Sequence, residues 1–251
     1  MFQKTKNKYY ILEKFSRQPG LIHGFSTRQF GELRVKKSLA ENDKLESFLK
    51  ALGLERKNLI MMEQVHGGKV KIVKDKDKGE VIKAVDGFVT ALPGIILGVK
   101  VADCLPLLFF DTQKRVIGIA HAGWKGVLLE IAKEMVEKMK MLGSQPKDVF
   151  VGAGPHIGGC CYEVQKDLIN KFFKAFGQLQ EMIIKIDGKS YLNLAVPLKV
   201  QLIEQGIQNK NIEFSTACTS CQIEEFFSYR RDSQETYGEI LGVISLKNKD
   251  G

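Results

Sequence analysis

Three side chains in this 251-residue chain are of the types that bind metal or attack a carbonyl: His66 in "EQVHGGKV", Cys104 in "VKVADCLPLLF" and His121 in "RVIGIAHAGWKG". Each closes an apolar run or opens a turn, so each is offered at the edge of a core. A histidine at the end of a buried strand is ordinarily a hydrogen-bonded core residue; the company of His121 argues for more. Imidazole nitrogen and thiolate sulfur satisfy zinc, and three protein ligands with one open position is the arrangement of a catalytic site. No C-x-x-C or H-E-x-x-H pair ties the three together locally, so the fold has to gather them. Glycine follows His66 directly and stands two residues after His121, allowing close backbone approach. The same Cys104 and His121 also have the types of a thiol nucleophile and its base, and metal and nucleophile are competing roles for one thiolate.

The cations with a chemical reading are Arg28 in "STRQFG", Lys125 after Trp124, and Arg230 or Arg231 in "SYRRD". Arginine grips phosphate through paired donors, whereas Lys125 offers a point charge. Each also has the plainer reading of a surface cation. The other thiols are Cys160, Cys161, Cys218 and Cys221. Cys218-Thr-Ser-Cys221 has the form of half a metal or redox site, but the expected second pair at comparable spacing is missing, so these read as small hydrophobes or incidental thiols. Cys161 is the one expected to line a pocket.

The elements that must position these residues are legible from periodicity. Strand character marks "VKIV", "GFVTAL", "IILGVKV", "PLLFFD", "RVIGIAHA", "DVFVGAG", "MIIKID" and "ILGVISL", with Pro106 expected to break the strand after Cys104. Leu45, Phe48, Leu49 and Leu52 predict a helix with Ser38 as a candidate start and Gly53 as its stop. Val127, Leu128, Ile131, Met135 and Met139 predict one helix from Gly126 to Gly143. Two more are predicted, around Leu168, Ile169, Phe172 and Phe173, and opening at Pro197 with Leu198, Leu202 and Ile203. Strands come in clusters, which predicts mixed sheets in an α+β arrangement. Without internal repeats or a Pro/Ser-rich linker, residues 1–251 read as one domain.

Composition narrows the class. With 44% hydrophobic residues the chain can bury a sizeable core. It has no apolar run long enough for a membrane helix, and no signal-peptide core behind "MFQKTKNKYY", so a cytoplasmic location is expected. Five cysteines, an odd number, do not suggest a secreted disulfide framework. The charge of +9 comes from lysines interleaved with acids and spaced along helices, without a nucleic-acid recognition motif; it reads as a solvated surface that tolerates an anionic small substrate.

In order, "HGFSTR", "QVHG", "VDGFVT", "ADCLPLL", "AHAGWKG", "GAGPHIGGCCYEV" and "FFSYRRD" resemble the signature blocks of the YfiH-like laccase-domain family, over most of the chain. The resemblance implies a single-domain four-layer α/β/β/α sandwich with mixed sheets. It also implies one zinc ion per chain on His66, Cys104 and His121, with copper the alternative metal. The activities implied are phosphorolysis of adenosine, inosine, guanosine and methylthioadenosine, and deamination of adenosine, in a monomer or homodimer. Deamination requires a proton acceptor, for which Asp103 and Glu163 are candidates, and phosphorolysis requires cations, for which Arg28, Lys125 and Arg230 are candidates. Three departures from the family pattern stand out: "QFGELRV" where a double glycine is common, Lys125 where arginine is frequent, and "TYGEILGVI" where a Gly-Arg pair is usual.

Two other activities compete. A cysteine hydrolase would use Cys104 and His121, a comparison also suggested by the likeness of this fold to bacterial toxin deamidases. Copper-dependent phenol oxidation needs several histidine-rich one-electron sites, and the four histidines cannot supply the usual ligand count. A noncatalytic nucleic-acid or protein-binding module is the remaining class.

Overall fold

Alternation of apolar side chains along the strands decides which layer each one serves. The protein is described by a computed structural model covering residues 2–33, 39, 43–232 and 237–247. Two sheets dominate it. Seven strands form the first: β1 (Phe2–Lys4), β2 (Tyr10–Leu12), β3 (Leu21–Phe25), β4 (Leu59–Glu63), β6 (Val81–Lys83), β8 (Ile96–Val101) and β15 (Ile240–Leu246), in the order β1-β2-β3-β15-β8-β4-β6. Six form the second: β5 (Val70–Ile72), β7 (Gly87–Thr90), β9 (Leu105–Asp111), β10 (Ile117–Ala122), β11 (Val149–Ala153) and β14 (Ile212–Phe214), in the order β14-β11-β9-β10-β7-β5. A separate hairpin joins β12 (Ile183–Ile186) and β13 (Lys189–Leu192). Both large sheets are mixed: β4 runs parallel to β8 and β6, β5 to β7 and β11 to β14, while the other pairs are antiparallel.

Side-chain parity builds the four layers. Leu97, Val99 and Val101 of β8 meet Leu108 and Phe110 of β9 and Ile117 and Ile119 of β10 in the space between the sheets. The opposite faces of β9 and β10, with Leu107, Phe109 and Ala120, pack on helices α4 (Ile131–Met141), α5 (Lys166–Phe176) and α6 (Ala195–Glu204). On the far side, Ile96, Leu241 and Val243 pack on Leu45, Phe48 and Leu49 of helix α2 (Asp43–Ala51). Close approach of α4 depends on small residues beneath it, since a β-carbon on Gly118 would lie 2.6 Å from Met135 Cε. The arrangement is the four-layer α/β/β/α sandwich with mixed sheets that the resemblance implies.

Several local expectations are corrected. Helix Gly126–Gly143 is in fact two, α3 (Trp124–Leu128) and α4, with Glu130 between them in the left-handed region at φ 56°. The break abuts the His66 loop, where Gly68 packs on the Leu129 carbonyl. The Val127 carbonyl accepts the Glu130 N–H at 3.1 Å and also the buried Gln201 amide at 2.8 Å. Pro106 does not break a strand: it is the second residue of β9, beyond the last pair of the β9–β11 ladder, where its missing N–H costs nothing. Helix α6 opens at Ala195, with Pro197 in its first turn, and Ile203 faces solvent. Ser38 falls outside the described residues. The short helix α1 (Glu13–Ser16) and the strands β1, β2, β3, β4, β6, β13 and β14 carry too few alternating residues to have been seen in the sequence.

The buried histidine of "HGFSTR" gives a stability test. His23 lies at 4% exposure on β3, and its Nε2 accepts the Leu12 N–H at 2.8 Å. Burial, the largest cause, pushes its pKa down to about 4. In the unfolded chain it would titrate near its ordinary value, so between about pH 6.5 and 4 the unfolded state binds the extra proton. Stability should therefore fall by about 3 kcal/mol as pH drops through that window. Urea denaturation at pH 7 and pH 4 should show this loss, and His23→Gln should remove that part of it.

Candidate metal centre

The seam where the chain passes from one sheet to the other creates the site. His66 lies in the loop after β4 of the first sheet, Cys104 in the tight turn carrying β8 of the first sheet into β9 of the second, and His121 near the end of β10. His121 has the same parity as Ile117 and Ile119, so it points into the gap between the sheets. The β9–β10 register pairs His121 with Pro106 and Ala122 with Leu105, which sets Cys104 just past the ladder beside His121. The donor atoms of His66, Cys104 and His121 all lie within 4.8 Å of one another. The imidazole rings meet edge to face with centroids 4.6 Å apart. Gly123 closes the cradle: a β-carbon there would lie 2.9 Å from Cys104 Sγ and 3.1 Å from His66 Cδ2. This donor set, compact and shielded on one side, fits one metal ion with a position left over.

The residue that orders the donors was missed. Asp86, in the "VDGFVT" block, is fully buried, and its Oδ1 lies 2.8 Å from His121 Nδ1. The same carboxylate accepts backbone N–H groups from Val65, His66 and Gly67 at 3.2, 3.0 and 2.8 Å, and its carbonyl accepts from His121 N. These bonds hold His66 at φ 57°, a left-handed conformation that is costly for histidine. Burial would raise the Asp86 carboxyl, but the bonds from His121 and the loop amides outweigh it and hold it below its ordinary range. The available signal was an aspartate directly before a strand that contains no other polar residue until Thr90.

The electrostatics at the two buried donors are opposed. Burial would raise the Cys104 thiol, yet the charge and hydrogen bonds of His121, then His66, bring it down to about 6. Burial would lower His121, yet the Cys104 thiolate and the Asp86 carboxylate raise it to about 9. Without a metal ion the pair therefore stands as thiolate and imidazolium near neutral pH.

A cavity of about 530 Å³ opens over the donors, within the range of small-molecule sites. Trp124, Tyr162, Tyr229 and Tyr237 give it aromatic walls, and Gln64, Lys100, Arg230 and Glu239 give it polar ones. Tyr237 and Glu239 come from the atypical "TYGEILGVI" segment. Arg230 lies over the Tyr162 ring at 5.1 Å and donates from Nη1 to the Glu163 carbonyl at 3.0 Å. Burial first, then the Cys104 thiolate, push the Tyr162 hydroxyl up to about 12, so it stays protonated.

Not every candidate converges on the cavity. Asp103 lines it at φ 89°, but Oδ1 accepts from Thr219 Oγ1 at 2.6 Å and Oδ2 from Arg230 N at 2.7 Å, so the carboxylate braces two loops. Glu163 turns its carboxylate to Lys189 at 3.0 Å, outside the cavity lining. Arg28 pairs with Asp232 at 3.0 Å and lies over the Phe227 ring, and it too is outside the lining. Lys125 is exposed on α3, over the edge of the cavity against Trp124. Arg231 is a clip, bonding the carbonyls of Thr219, Ser220 and Phe226. Cys161 is not on the cavity wall; it lies with Cys160, Cys218 and Cys221 in a separate cluster.

A two-sheet sandwich with a His-Cys-His donor set able to hold a metal at its seam is an arrangement of the laccase-domain type. The chain belongs to the family described as multi-copper polyphenol oxidoreductase laccase, which it matches over residues 23–247. It is 37% identical over 201 residues to a purine nucleoside phosphorylase of Deinococcus radiodurans, covering 80% of this chain and 75% of that protein. To adenosine deaminase RL5 of an unknown prokaryotic organism it is 31% identical over 189 residues, covering 72% of each. Among solved structures, YfiH of Bacillus licheniformis superposes with a TM-score of 0.86 at 29% identity, covering 98% of this chain and 99% of that one. YlmD of Geobacillus stearothermophilus gives 0.87 at 26% identity, with the same coverage.

Two measurements test the centre. Replacing Asp86 with Asn keeps the shape but removes the charge that orients His121, and should weaken Zn²⁺ binding about 10- to 100-fold in a chelator competition assay. Between pH 6 and 9 an incoming ion displaces the His121 proton, so calorimetry in buffers of different ionisation enthalpy should find about one proton released per ion. Affinity should climb with pH toward about 9, and should fall more steeply below about 6, where the Cys104 thiol also holds its proton.

Proposed function

We propose that this chain is a zinc-dependent purine nucleoside enzyme that phosphorolyses adenosine, inosine, guanosine and methylthioadenosine and deaminates adenosine. The observation that carries the reading is the convergence of His66, Cys104 and His121 beneath an aromatic-walled cavity with Arg230 on its rim. Relatives named purine nucleoside phosphorylase and adenosine deaminase support the substrate class.

In this reading His66, Cys104 and His121 hold the zinc, which when bound supplies Lewis acidity and a lowered pKa for water in its open position. A thiolate ligand cancels one unit of the metal's charge, making that shift smaller than at an all-histidine site. Trp124, Tyr162, Tyr229 and Tyr237 stack the purine and keep bulk water off it. Asp86 accepts from His121 Nδ1 and so fixes which ring nitrogen faces the donors. Arg230 takes the anion, the attacking phosphate in phosphorolysis, because its guanidinium is stacked on Tyr162 and spends only Nη1 on the chain. Asp103 positions Arg230 through the backbone bond, and Arg28 does so more distantly through Asp232. Glu163, Lys125 and Cys161 take no part in the chemistry, since their side chains lie off the cavity lining.

Copper-based phenol oxidation is disfavoured by ligand supply: the other two histidines, His23 and His156, are buried elsewhere, bonded to Leu12 N and the Gly154 carbonyl. A second reading, a cysteine hydrolase, is favoured by one observation, the Cys104–His121 ion pair oriented by Asp86, which has the order of a nucleophile, base and orienting carboxylate. Covalent capture of Cys104 by an amide-derived electrophile in active, metal-free protein would select it.

The zinc-loaded protein should convert adenosine to inosine and, with phosphate, release free base and ribose 1-phosphate, as read by liquid chromatography. Neither product from folded, loaded protein overturns the reading. Single alanine replacements of His66, Cys104 and His121 should each remove the zinc held by these three side chains and turnover together.

A further inference from the structure

Four of the five cysteines form a second cluster, outside the cavity lining. Cys160 and Cys161 sit in the turn that begins at Gly158, and Cys218 and Cys221 in a turn about 60 residues later. Their four sulfurs all lie within 4.8 Å of one another, with Cys161 to Cys221 at 3.3 Å and Cys160 to Cys221 at 3.6 Å. A tetrahedral zinc with Zn–S bonds of about 2.3 Å sets its sulfurs about 3.8 Å apart. The spacing observed is close to that, and well beyond the roughly 2.05 Å of a disulfide. From the sequence these thiols read as incidental because the C-x-x-C pair had no partner at matching spacing; the fold provides the partner from an adjacent Cys-Cys.

The surroundings are those of a thiolate cage. Cys218 Sγ accepts the Gly158 N–H at 3.3 Å and also the Cys221 N–H across its own turn, donors that stabilise negative sulfur. Arg231, itself paired with Asp232 at 2.8 and 3.1 Å, binds the carbonyls of Thr219 and Ser220 at 2.7 and 3.1 Å and so fixes the C-x-x-C turn. Cys160 and Cys221 are exposed, so an ion reaches the cluster from solvent.

We propose that Cys160, Cys161, Cys218 and Cys221 bind one Zn²⁺ as a closed tetrathiolate centre, distinct from the His-Cys-His site. With four protein ligands it has no open position and its role is structural. It clamps a loop that walls the cavity to a loop that braces Asp103. One loop carries Ile157 and Tyr162; the other carries Thr219, whose hydroxyl bonds Asp103 next to Cys104. Direct bonds between these loops are few: His156 N to the Ala217 carbonyl, Thr219 N to the His156 carbonyl, and Gly158 N to Cys218 Sγ.

The test counts metal rather than turnover, so it stands apart from the proposed activity. By plasma mass spectrometry the full chain, prepared in zinc-buffered reductant, should hold two zinc ions. The H66A/C104A/H121A variant should hold one, and C160S/C161S/C218S/C221S should likewise hold one. Zinc-edge absorption of the first variant should show four sulfurs and no nitrogen, and chelation should lower its Tm. No zinc on that variant, a shell containing nitrogen, or intact-mass loss of four hydrogens showing two disulfides in the isolated protein would overturn the proposal. If the triple variant does not fold, the unsubstituted chain decides it: two ions with a sulfur-rich average shell support the centre, and a single ion refutes it.

Discussion

The carboxylate of Asp86 is the constraint on which the functional end of the molecule turns. A fully buried charge is tolerated only when its lone pairs are filled, and here they are filled by an imidazole and three successive backbone amides. Satisfying that one group therefore fixes the orientation of His121, the path of the loop bearing His66 and the strain at His66 itself. The Asp86 N–H also donates to the Lys69 carbonyl at 2.9 Å, closing the far end of the same loop, so the geometry of the donors is a consequence of the desolvation problem posed by Asp86.

The layered fold explains why the centre forms at a seam. Both sheets pack apolar side chains of alternating parity, and the polar groups of the centre come from where strands end. The β8 to β9 turn is a tight passage from one sheet to the other, and Cys104 occupies it. Loops then build the cavity walls over a rigid floor, which is how one sandwich can carry different chemistries on the same scaffold. The wall supplied by Tyr237 and Glu239, from the segment leading into β15, is an instance of this.

Sulfur occurs in two contrasting settings. Cys104 shares its site with two imidazoles beneath the cavity, whereas the four other thiols have one another as neighbours. Asp103 joins the two, accepting from Thr219 beside the cluster and from Arg230 on the cavity rim. Loop order around the cluster and the aim of Arg230 are thus mechanically linked through a single buried carboxylate.

The three side chains that converge at the centre, the strands beneath them and the four-layer class were legible in the sequence, because strand alternation, helical periodicity and the ordered signature blocks are local properties of the chain. Arg230 was legible as well, as part of such a block. Asp86, the aromatic rim, the diversion of Glu163 to Lys189 and of Arg28 to Asp232, the break between α3 and α4 and the cysteine cluster were not. Each depends on which distant segments meet, and a side chain's partner, burial and charge are settled only when two sheets and their loops are packed against each other. Residue type determined what each group was able to do; tertiary contact, through desolvation and hydrogen-bond supply, decided which of them does it.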